Sequence, residues 1–142
     1  MADPVRIRIL DWPAARVEAM RVREAVFVVE QGVPVEIELD EWDPQCEHAL
    51  AGAPDGRTVG TGRLLPDGHI GRMAVLREWR GQGVGGAILA ALVERAAERG
   101  MRRLVLNAQT HAAPFYARYG FAAFGEEFVE AGIPHVAMAR TL

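Results

Sequence analysis

Apolar and polar residues alternate at the start of the chain, where valine and isoleucine are interleaved with arginine over residues 5–10. A period of two is typical of a strand with one buried face. Asp11 suits a helix N-cap and Pro13 suits the first helical turn. Apolar positions near one face then predict a helix that runs to about residue 30.

Two turn motifs, Pro54-Asp55-Gly56 and Pro66-Asp67-Gly68, interrupt the next apolar stretch. Short turns of this kind between strand-like runs are typical of hairpins. They predict three antiparallel strands at residues 47–53, 57–65 and 69–75.

The second half of the chain contains both helical spacing of apolar residues and short strand-like runs. Val84, Ile88 and Leu92 lie at helical spacing, and Gly100 follows the last apolar position. No repeat, linker or low-complexity tract separates these elements. Residues 1–142 therefore predict one domain of the α/β (α+β) class, with a mixed, mostly antiparallel central sheet and flanking helices. The further elements predicted here are a helix at 83–99, a strand at 103–107, a short helix at 112–119, and strands at 121–124 and 135–140.

Composition narrows the classes of function. Half of the residues are apolar, a quarter are charged and the net charge is −3, so no basic field is expected to attract nucleic acid or anionic membranes. We find no apolar segment long enough for a membrane span, and we expect a cytoplasmic protein. The single cysteine, Cys46, excludes an intramolecular disulfide and a multi-cysteine zinc site, and no metal is expected.

A glycine-rich turn leads from the strand at 69–75 into the helix at 83–99. Its sequence is Arg80-Gly81-Gln82-Gly83-Val84-Gly85-Gly86, and residues 80–86 are called the glycine turn below. Glycine lets the backbone approach a ligand, and the first N–H groups of a helix lack intrahelical acceptors. The positive end of the helix dipole favours an anion, and Arg80 can add a charged hydrogen bond. The turn therefore predicts a site for a phosphate or pyrophosphate.

Two familiar phosphate motifs do not match. A P-loop requires a lysine, whereas all sixteen basic residues of this chain are arginine. A dinucleotide fingerprint belongs in a parallel βαβ unit whose next strand ends near an acidic residue. Here the preceding strand leaves a meander and the following strand ends at Asn107, so that interpretation is poor.

The pattern Arg80-x-x-Gly83-x-Gly85 resembles the signature of the GNAT N-acetyltransferase superfamily. The strands at residues 70–75 and 104–108 are similar to its splayed fourth strand and its fifth strand, and residues 115–121 to its Phe-Tyr-x-x-x-Gly-Phe segment. The resemblance covers nearly the whole chain. Glu30-Gln31, Glu47-His48 and Gly132-Ile133-Pro134-His135 are further similar to the small YjcF-like branch.

The resemblance implies an acyl-CoA cosubstrate and a splayed strand at its site. The pyrophosphate would lie on the amides of residues 82–86, and the pantetheine arm would pair with the splayed strand. Asn107 would touch that arm, and an N–H near residue 75 would stabilise the oxyanion. The implied cofactor-binding residues are Met73, Ala74, Val75, Arg80, Gly81, Gln82, Gly83, Val84, Gly85, Gly86, Asn107 and Tyr116.

The implied reaction moves an acetyl group from acetyl-CoA to a primary amine of a small molecule or peptide by direct attack. Tyr116 would protonate the leaving thiolate as general acid. The base stays open, and acidic residues of the loop at 32–46 could instead attract a cationic amine. Glu30 and His135 complete the predicted catalytic set, among base candidates that comprise Glu30, Glu36, Asp40, Glu41, His48 and His135.

Two alternatives of other classes remain. The chain could be a non-catalytic acyl-CoA-binding sensor module, although such a module would not need a proton donor at Tyr116. It could also be a structural interaction domain without a cofactor. The sequence does not identify the acceptor amine, nor does it distinguish a monomer from a homodimer.

Overall fold

The computed structural model describes residues 5–35 and 40–142. The described residues form one seven-stranded sheet with helices packed on it. Short 3-10 turns occur at Asp43–Gln45, Arg77–Trp79 and Thr110–Ala112. The main elements are β1 (Arg6–Leu10), α1 (Trp12–Arg23), a π-helical segment (Glu24–Glu30), β2 (Glu47–Gly52), β3 (Thr58–Leu64), β4 (His69–Val75), α2 (Val84–Glu98), β5 (Arg103–Gln109), α3 (Ala113–Ala117), β6 (Ala122–Glu130) and β7 (Ile133–Thr141).

The sheet order is β1-β2-β3-β4-β5-β7-β6, and only the β4–β5 pair is parallel. The prediction of a mixed, mostly antiparallel sheet with flanking helices is therefore confirmed. Hairpins join β2 to β3 and β3 to β4, whereas α1 and the π-helical segment lie between β1 and β2, and α2 carries the chain from β4 to β5. This crossover places the start of α2 at the end of β4.

β4 and β5 separate soon after they begin to pair. Their register joins only His69 with Val105 and Ile70 with Leu106. On its other edge β4 stays paired with β3 as far as Val75, which lies opposite Gly60. The predicted splayed strand is thus present, and the second half of β4 has one backbone edge that β5 does not cover.

The core lies between the sheet and α2. Ile88 and Leu92 are fully buried on the inner face of that helix. Glycines on β3 allow the close approach of α2, because a Cβ at Gly60 would lie 2.8 Å from Ile88 Cδ1 and one at Gly62 would lie 2.9 Å from Ile88 Cγ2. Larger residues at these positions would push α2, and with it the glycine turn, away from β4.

The first helix extends to Glu30 as predicted, but its last part changes pitch. Residues Glu24–Glu30 are π-helical, and the Gln31 N–H donates to the Val26 carbonyl at 3.0 Å, a spacing of five residues. Such wide turns occur often at functional sites. The following loop was predicted to lack regular structure. Its described part contains the 3-10 turn Asp43–Gln45, and residues 36–39 lie outside the described residues.

The last two strands are longer than predicted and form a hairpin that the sequence did not reveal. β6 was expected to end at residue 124 but continues to Glu130, and β7 begins at Ile133. Every residue of β6 is exposed at this edge of the sheet. An edge strand without a buried face shows no apolar alternation, so Gly125 and the glutamates after it looked like a loop.

Candidate active site

The glycine turn has the geometry of an anion site. Gly81 and Gly83 have φ of +76° and +84°, a left-handed conformation that residues with side chains rarely adopt. The Ala87 N–H donates to the Gly83 carbonyl at 3.0 Å, so the amides of residues 84–86 precede the first intrahelical bond. α2 has fifteen residues and no acidic residue in its first turn. Open amides at the positive end of a long helix fit a pyrophosphate.

The later glycines of the turn have a packing role. A Cβ added at Gly86 would collide with the Tyr119 hydroxyl, and one at Gly85 would lie 3.4 Å from the Phe115 ring. α3 therefore presses its aromatic face on the first turn of α2. This contact fixes the helix start and orients the neighbouring Tyr116.

Arg80 is held by protein groups in the structure. Its two terminal nitrogens donate to the Glu30 carboxylate at 2.6 and 2.8 Å, and its Nε donates to the Val75 carbonyl at 3.0 Å. Arg77 approaches the same carboxylate at 3.6 Å. Arg80 thus connects the π-helical segment, the end of β4 and the glycine turn. Gln82 donates to the Glu78 carbonyl at 3.2 Å.

A cleft of about 1050 Å³ opens between the splayed strands. Its glycine side consists of residues 73–75 and the glycine turn without Gln82, and its hairpin side consists of Arg63, Arg72, Glu130, Ala131, Ile133 and His135. Among the predicted cofactor-binding residues, Gln82 is the one that does not line it. The predicted residues that the fold brings together here are Glu30, Met73, Ala74, Val75, Arg80, Gly81, Gly83, Val84, Gly85, Gly86, Asn107, Tyr116 and His135.

Tyr116 and Asn107 lie on adjoining elements of the cleft wall. Tyr116 belongs to α3, where burial raises the pKa of its phenol to about 12. Its ring meets Phe115 edge-on at a centroid distance of 5.1 Å. A phenol with a raised pKa keeps its proton at neutral pH, as a proton donor must. Asn107 is exposed on β5, opposite Ala137 of β7.

The base candidates occupy different environments. His135 lines the cleft, and its Nδ1 lies 2.6 Å from the Ile133 carbonyl, which selects the neutral tautomer with the hydrogen on Nδ1 and the lone pair on Nε2. Glu30 also lines the cleft, but its hydrogen bond with Arg80 lowers its pKa. His48 is buried against Trp12 outside the cleft lining, and burial lowers its pKa. Glu41 is exposed and Glu36 lies outside the described residues.

Two acidic residues of the loop form a buried ion network. Asp43 accepts from Arg23 at 2.9 and 3.1 Å and from Arg63 at 2.8 Å, and Arg23 and Asp43 are each 1% exposed. Asp40 accepts from Arg63 at 2.7 Å and from Arg72 at 3.3 Å. These carboxylates join α1 to β3 and β4. The prediction that acidic residues of this loop attract a cation is not supported at Asp40 and Asp43, since both carboxylates accept hydrogen bonds from arginines.

Sequence reasoning missed several residues of the cleft. Gln31 and Gln109 exchange two amide hydrogen bonds, of 3.3 and 3.0 Å, and so connect the π-helical segment to the end of β5. Glu130 lies at the end of β6, with a carboxylate oxygen 3.7 Å from Nε2 of His135. The short motif Ala131-Gly132 was the available signal, because two residues with positive φ, 52° and 76°, close the β6–β7 hairpin.

The described residues contain neither a cluster of metal ligands nor a membrane-spanning helix. No group of three potential ligands from His, Cys, Asp and Glu is found within the described part of the chain. No helix in residues 5–35 or 40–142 is long and apolar enough to cross a membrane. Cys46 donates to the Trp42 carbonyl at 3.1 Å, and burial raises its pKa to about 11.

Solved structures share this architecture over nearly their full length. An acyl-CoA N-acyltransferase from Pseudomonas aeruginosa matches with a TM-score of 0.85 and 30% identity, covering 96% of this chain and 99% of that one. Escherichia coli ElaA matches with a TM-score of 0.84 and 30% identity, at the same coverages of 96% and 99%. The fold is therefore that of the GNAT-type acyltransferases.

The sequence comparisons agree with the fold. A family model described as an acetyltransferase (GNAT) domain matches residues 22–142. The uncharacterized N-acetyltransferase YjcF of Bacillus subtilis is 45% identical over 128 residues, which are 87% of this chain and 90% of YjcF. The chain belongs to the GNAT acetyltransferase family, as its motifs predicted. Acyl transfer from an acyl-CoA is the activity that this membership supports.

Proposed function

We propose that this protein transfers an acetyl group from acetyl-CoA to a primary amine of a small molecule or peptide in the cytoplasm. The observation that carries the proposal is the convergence of three features in one cleft. The glycine turn offers open amides, β4 offers an uncovered backbone edge, and Tyr116 offers a protonated phenol. These three features suit, in the same order, the pyrophosphate, the amide-rich arm and the thioester of acetyl-CoA.

The glycine side would hold the cosubstrate. The amides of residues 84–86 suit the pyrophosphate, beside Arg80 in its ion pair with Glu30, and the edge of β4 at residues 73–75 that β5 leaves uncovered suits the amides of the pantetheine arm. Asn107 lines the opposite wall, on β5. When bound, acetyl-CoA supplies a thioester carbonyl for attack by the amine.

Tyr116 is proposed as the general acid for the leaving sulfur. Burial raises its pKa to about 12, so the phenol is protonated throughout the neutral range. Phe115 of the same helix and Tyr119 just after it pack on the first turn of α2, which keeps the hydroxyl of Tyr116 in a fixed relation to the glycine turn. This proton would leave the oxygen of Tyr116 as the carbon–sulfur bond breaks.

His135 is proposed as the base that takes the proton of the amine. In the neutral ring Nδ1–H donates to the Ile133 carbonyl, so the lone pair of Nε2 can accept a proton. Glu30 is a weaker candidate, because its ion pair with Arg80 makes the carboxylate a poorer proton acceptor. The structure thus favours the imidazole among the predicted base candidates.

Turnover with a panel of primary amines tests the proposal. Free thiol released from acetyl-CoA would be measured together with the acetylated amine by mass spectrometry, and each amine would be run without protein as a control. We expect amine-dependent thiol release and a matching product. Saturable binding of CoA with no product from any amine would instead support the sensor alternative. No binding of CoA would contradict both.

His135→Gln tests the base. Loss of a general base lowers turnover about 10²-fold or more. CoA affinity should stay within about twofold, because His135 lies on the hairpin side of the cleft. His48→Gln is the matched control, since that ring lies outside the cleft lining. Equal turnover in wild type and His135→Gln would remove this residue from the role.

A further inference from the structure

We propose that Glu130 and His135 together bind the ammonium form of the acceptor, so that the preferred acceptors are aliphatic primary amines that are protonated in solution. The inference rests on the proposed function and adds to it a binding residue and a substrate class. The hairpin that joins β6 to β7 contributes Glu130, Ala131, Ile133 and His135 to the cleft lining.

The hairpin holds Glu130 in a strained turn. Glu130 pairs with Ile133, so Ala131 and Gly132 form a two-residue turn with φ of 52° and 76°. A positive φ costs energy at alanine, where asparagine or glycine would be relaxed. In residues 5–35 and 40–142, the non-glycine residues with positive φ are Arg72 and Ala131, and both line the cleft. This turn places the end of β6, with Glu130, at the cleft wall.

The charges of the cleft distinguish Glu130 from the other carboxylates. Among the described residues, the acidic side chains that line the cleft are Glu30 and Glu130. Glu30 is occupied by Arg80 and Arg77. Within the described chain the ion-pair partner of Glu130 is His135 alone, at 3.7 Å. Glu130 is therefore the described cleft carboxylate that no arginine neutralises.

The distance between the two side chains suits a shared donor. Glu130 Oε2 and His135 Nε2 are 3.7 Å apart, which is longer than a hydrogen bond. Nδ1 of His135 faces the Ile133 carbonyl at 2.6 Å, so in the neutral ring Nε2 is an acceptor, as the carboxylate oxygen is. A nitrogen about 2.9 Å from each can donate to both at once. An ammonium group has three donors and the charge that the carboxylate favours.

This arrangement also gives the proton a path. One ammonium N–H donates to Glu130 and another to Nε2 of His135. Transfer of the second proton breaks that N–H bond and forms the Nε2–H bond, which leaves the amine with the lone pair that attacks. Phe128 stacks on the His135 ring at a centroid distance of 5.8 Å and holds its plane.

A binding experiment on the CoA-loaded protein tests the anchor without turnover. The ring signals of His135, assigned with His135→Gln, would be followed by NMR during titration with n-butylammonium chloride, and with n-butanol as the uncharged probe. We expect the ammonium to shift these signals saturably and the alcohol to leave them. Glu130→Gln should weaken ammonium binding about five- to tenfold, since the carboxylate is half exposed.

Glu127→Gln is the matched control, because it lies on the same exposed strand outside the cleft lining and carries the same change of charge. It should leave binding of n-butylammonium within twofold. In turnover, Glu130→Gln should raise the KM for the amine about five- to tenfold, while kcat and the KM for acetyl-CoA change little. Equal effects of the two substitutions, or binding of n-butanol as strongly as the ammonium, would overturn the anchor.

The outcomes separate this inference from the proposed function. Binding of n-butylammonium that depends on Glu130, with no acetylated amine from any panel member, supports the anchor and contradicts the function. Acetylation of amines with a KM that is indifferent to Glu130→Gln supports the function and contradicts the anchor. Absence of any shift at His135 on addition of the ammonium also contradicts the anchor.

Discussion

The two sides of the cleft are built in different ways. The glycine side is formed largely by backbone, with left-handed glycines, the open amides of α2 and the uncovered edge of β4. The hairpin side is formed by side chains from distant parts of the chain, such as Arg63 with its partner Asp43, and Glu130 beside His135. A backbone site needs a short continuous motif, whereas a side-chain site needs the tertiary fold.

This difference matches the roles that we propose for the two sides, cosubstrate binding on the glycine side and acceptor binding on the hairpin side. A cosubstrate common to a whole family can be held by amides and helix dipoles, which depend little on side-chain identity. An acceptor that varies must be selected by particular charges and shapes. The substitutions with the largest expected effects therefore disrupt the ion network behind the hairpin side or the amides of the glycine side.

Asp43→Asn is expected to have the largest effect. The substitution removes the carboxylate that accepts from both terminal nitrogens of Arg23, a side chain that is 1% exposed. Removing one partner of a buried ion pair costs about 3–5 kcal/mol of unfolding free energy. Urea unfolding would measure it. Asp55→Asn is the control, since the Asp55–Arg57 pair is exposed and should contribute about 0–1 kcal/mol. Equal losses in the two variants would contradict a supporting role for the network.

Gly83→Asp should affect the glycine side most. The new carboxylate would face the pyrophosphate at the start of α2 and weaken CoA binding about a hundredfold or more through like-charge repulsion. Calorimetric titration with CoA would measure the change. Gly83→Asn has nearly the same size and tolerates φ of +84°, so it separates charge from backbone strain. Similar losses with Asp and Asn would mean that the backbone conformation, and not an anion, sets the requirement for glycine.

Tyr116→Phe should lower kcat about a hundredfold and leave CoA affinity within twofold. The reason is that the phenol donates a proton, and its pKa of about 12 keeps that proton in place at neutral pH. Steady-state turnover and a CoA titration on the same preparation would measure both quantities. Tyr119→Phe is the control, because Tyr119 also lies against the glycine turn. Unchanged kcat in Tyr116→Phe would exclude it as the acid.

Glu30→Gln should have the smallest effect, within about threefold on kcat. The hydrogen bond with Arg80 lowers the pKa of Glu30, so the carboxylate takes up a proton only below its usual range. It should not produce a pH limb near neutrality. The pH profile of kcat would therefore keep its acidic limb in the variant. Loss of that limb, with a hundredfold fall in kcat, would show that Glu30 is the base.

The sequence predicted the fold and indicated the turn before α2, for physical reasons. Gly81 and Gly83 report their own conformations, because positive φ selects glycine locally. Val84, Ile88 and Leu92 report the buried face of α2 through their spacing. Gly85 and Gly86 also fit the motif, although the structure gives them contacts with Phe115 and Tyr119 that no local pattern shows.

The hairpin side could not be predicted in the same way. β6 is exposed along its whole length, so its apolar residues show no alternation and the strand looked like a loop after residue 124. Asp40 and Asp43 looked like surface charges because their partners, Arg63 and Arg72, are 20 or more residues away. The proximity of Glu130 to His135 depends on the same hairpin. Long-range ion pairs leave no signature in a single sequence.

The most direct test of the central claim is an ¹⁵N–¹H titration of the protein with CoA. We expect saturable shifts that are largest at the amides of residues 81–86, with smaller shifts along residues 73–75 and none at β1. This result would place the pyrophosphate on the first turn of α2. Saturable binding whose largest shifts fall elsewhere, with the amides of the glycine turn unmoved, would contradict the assignment.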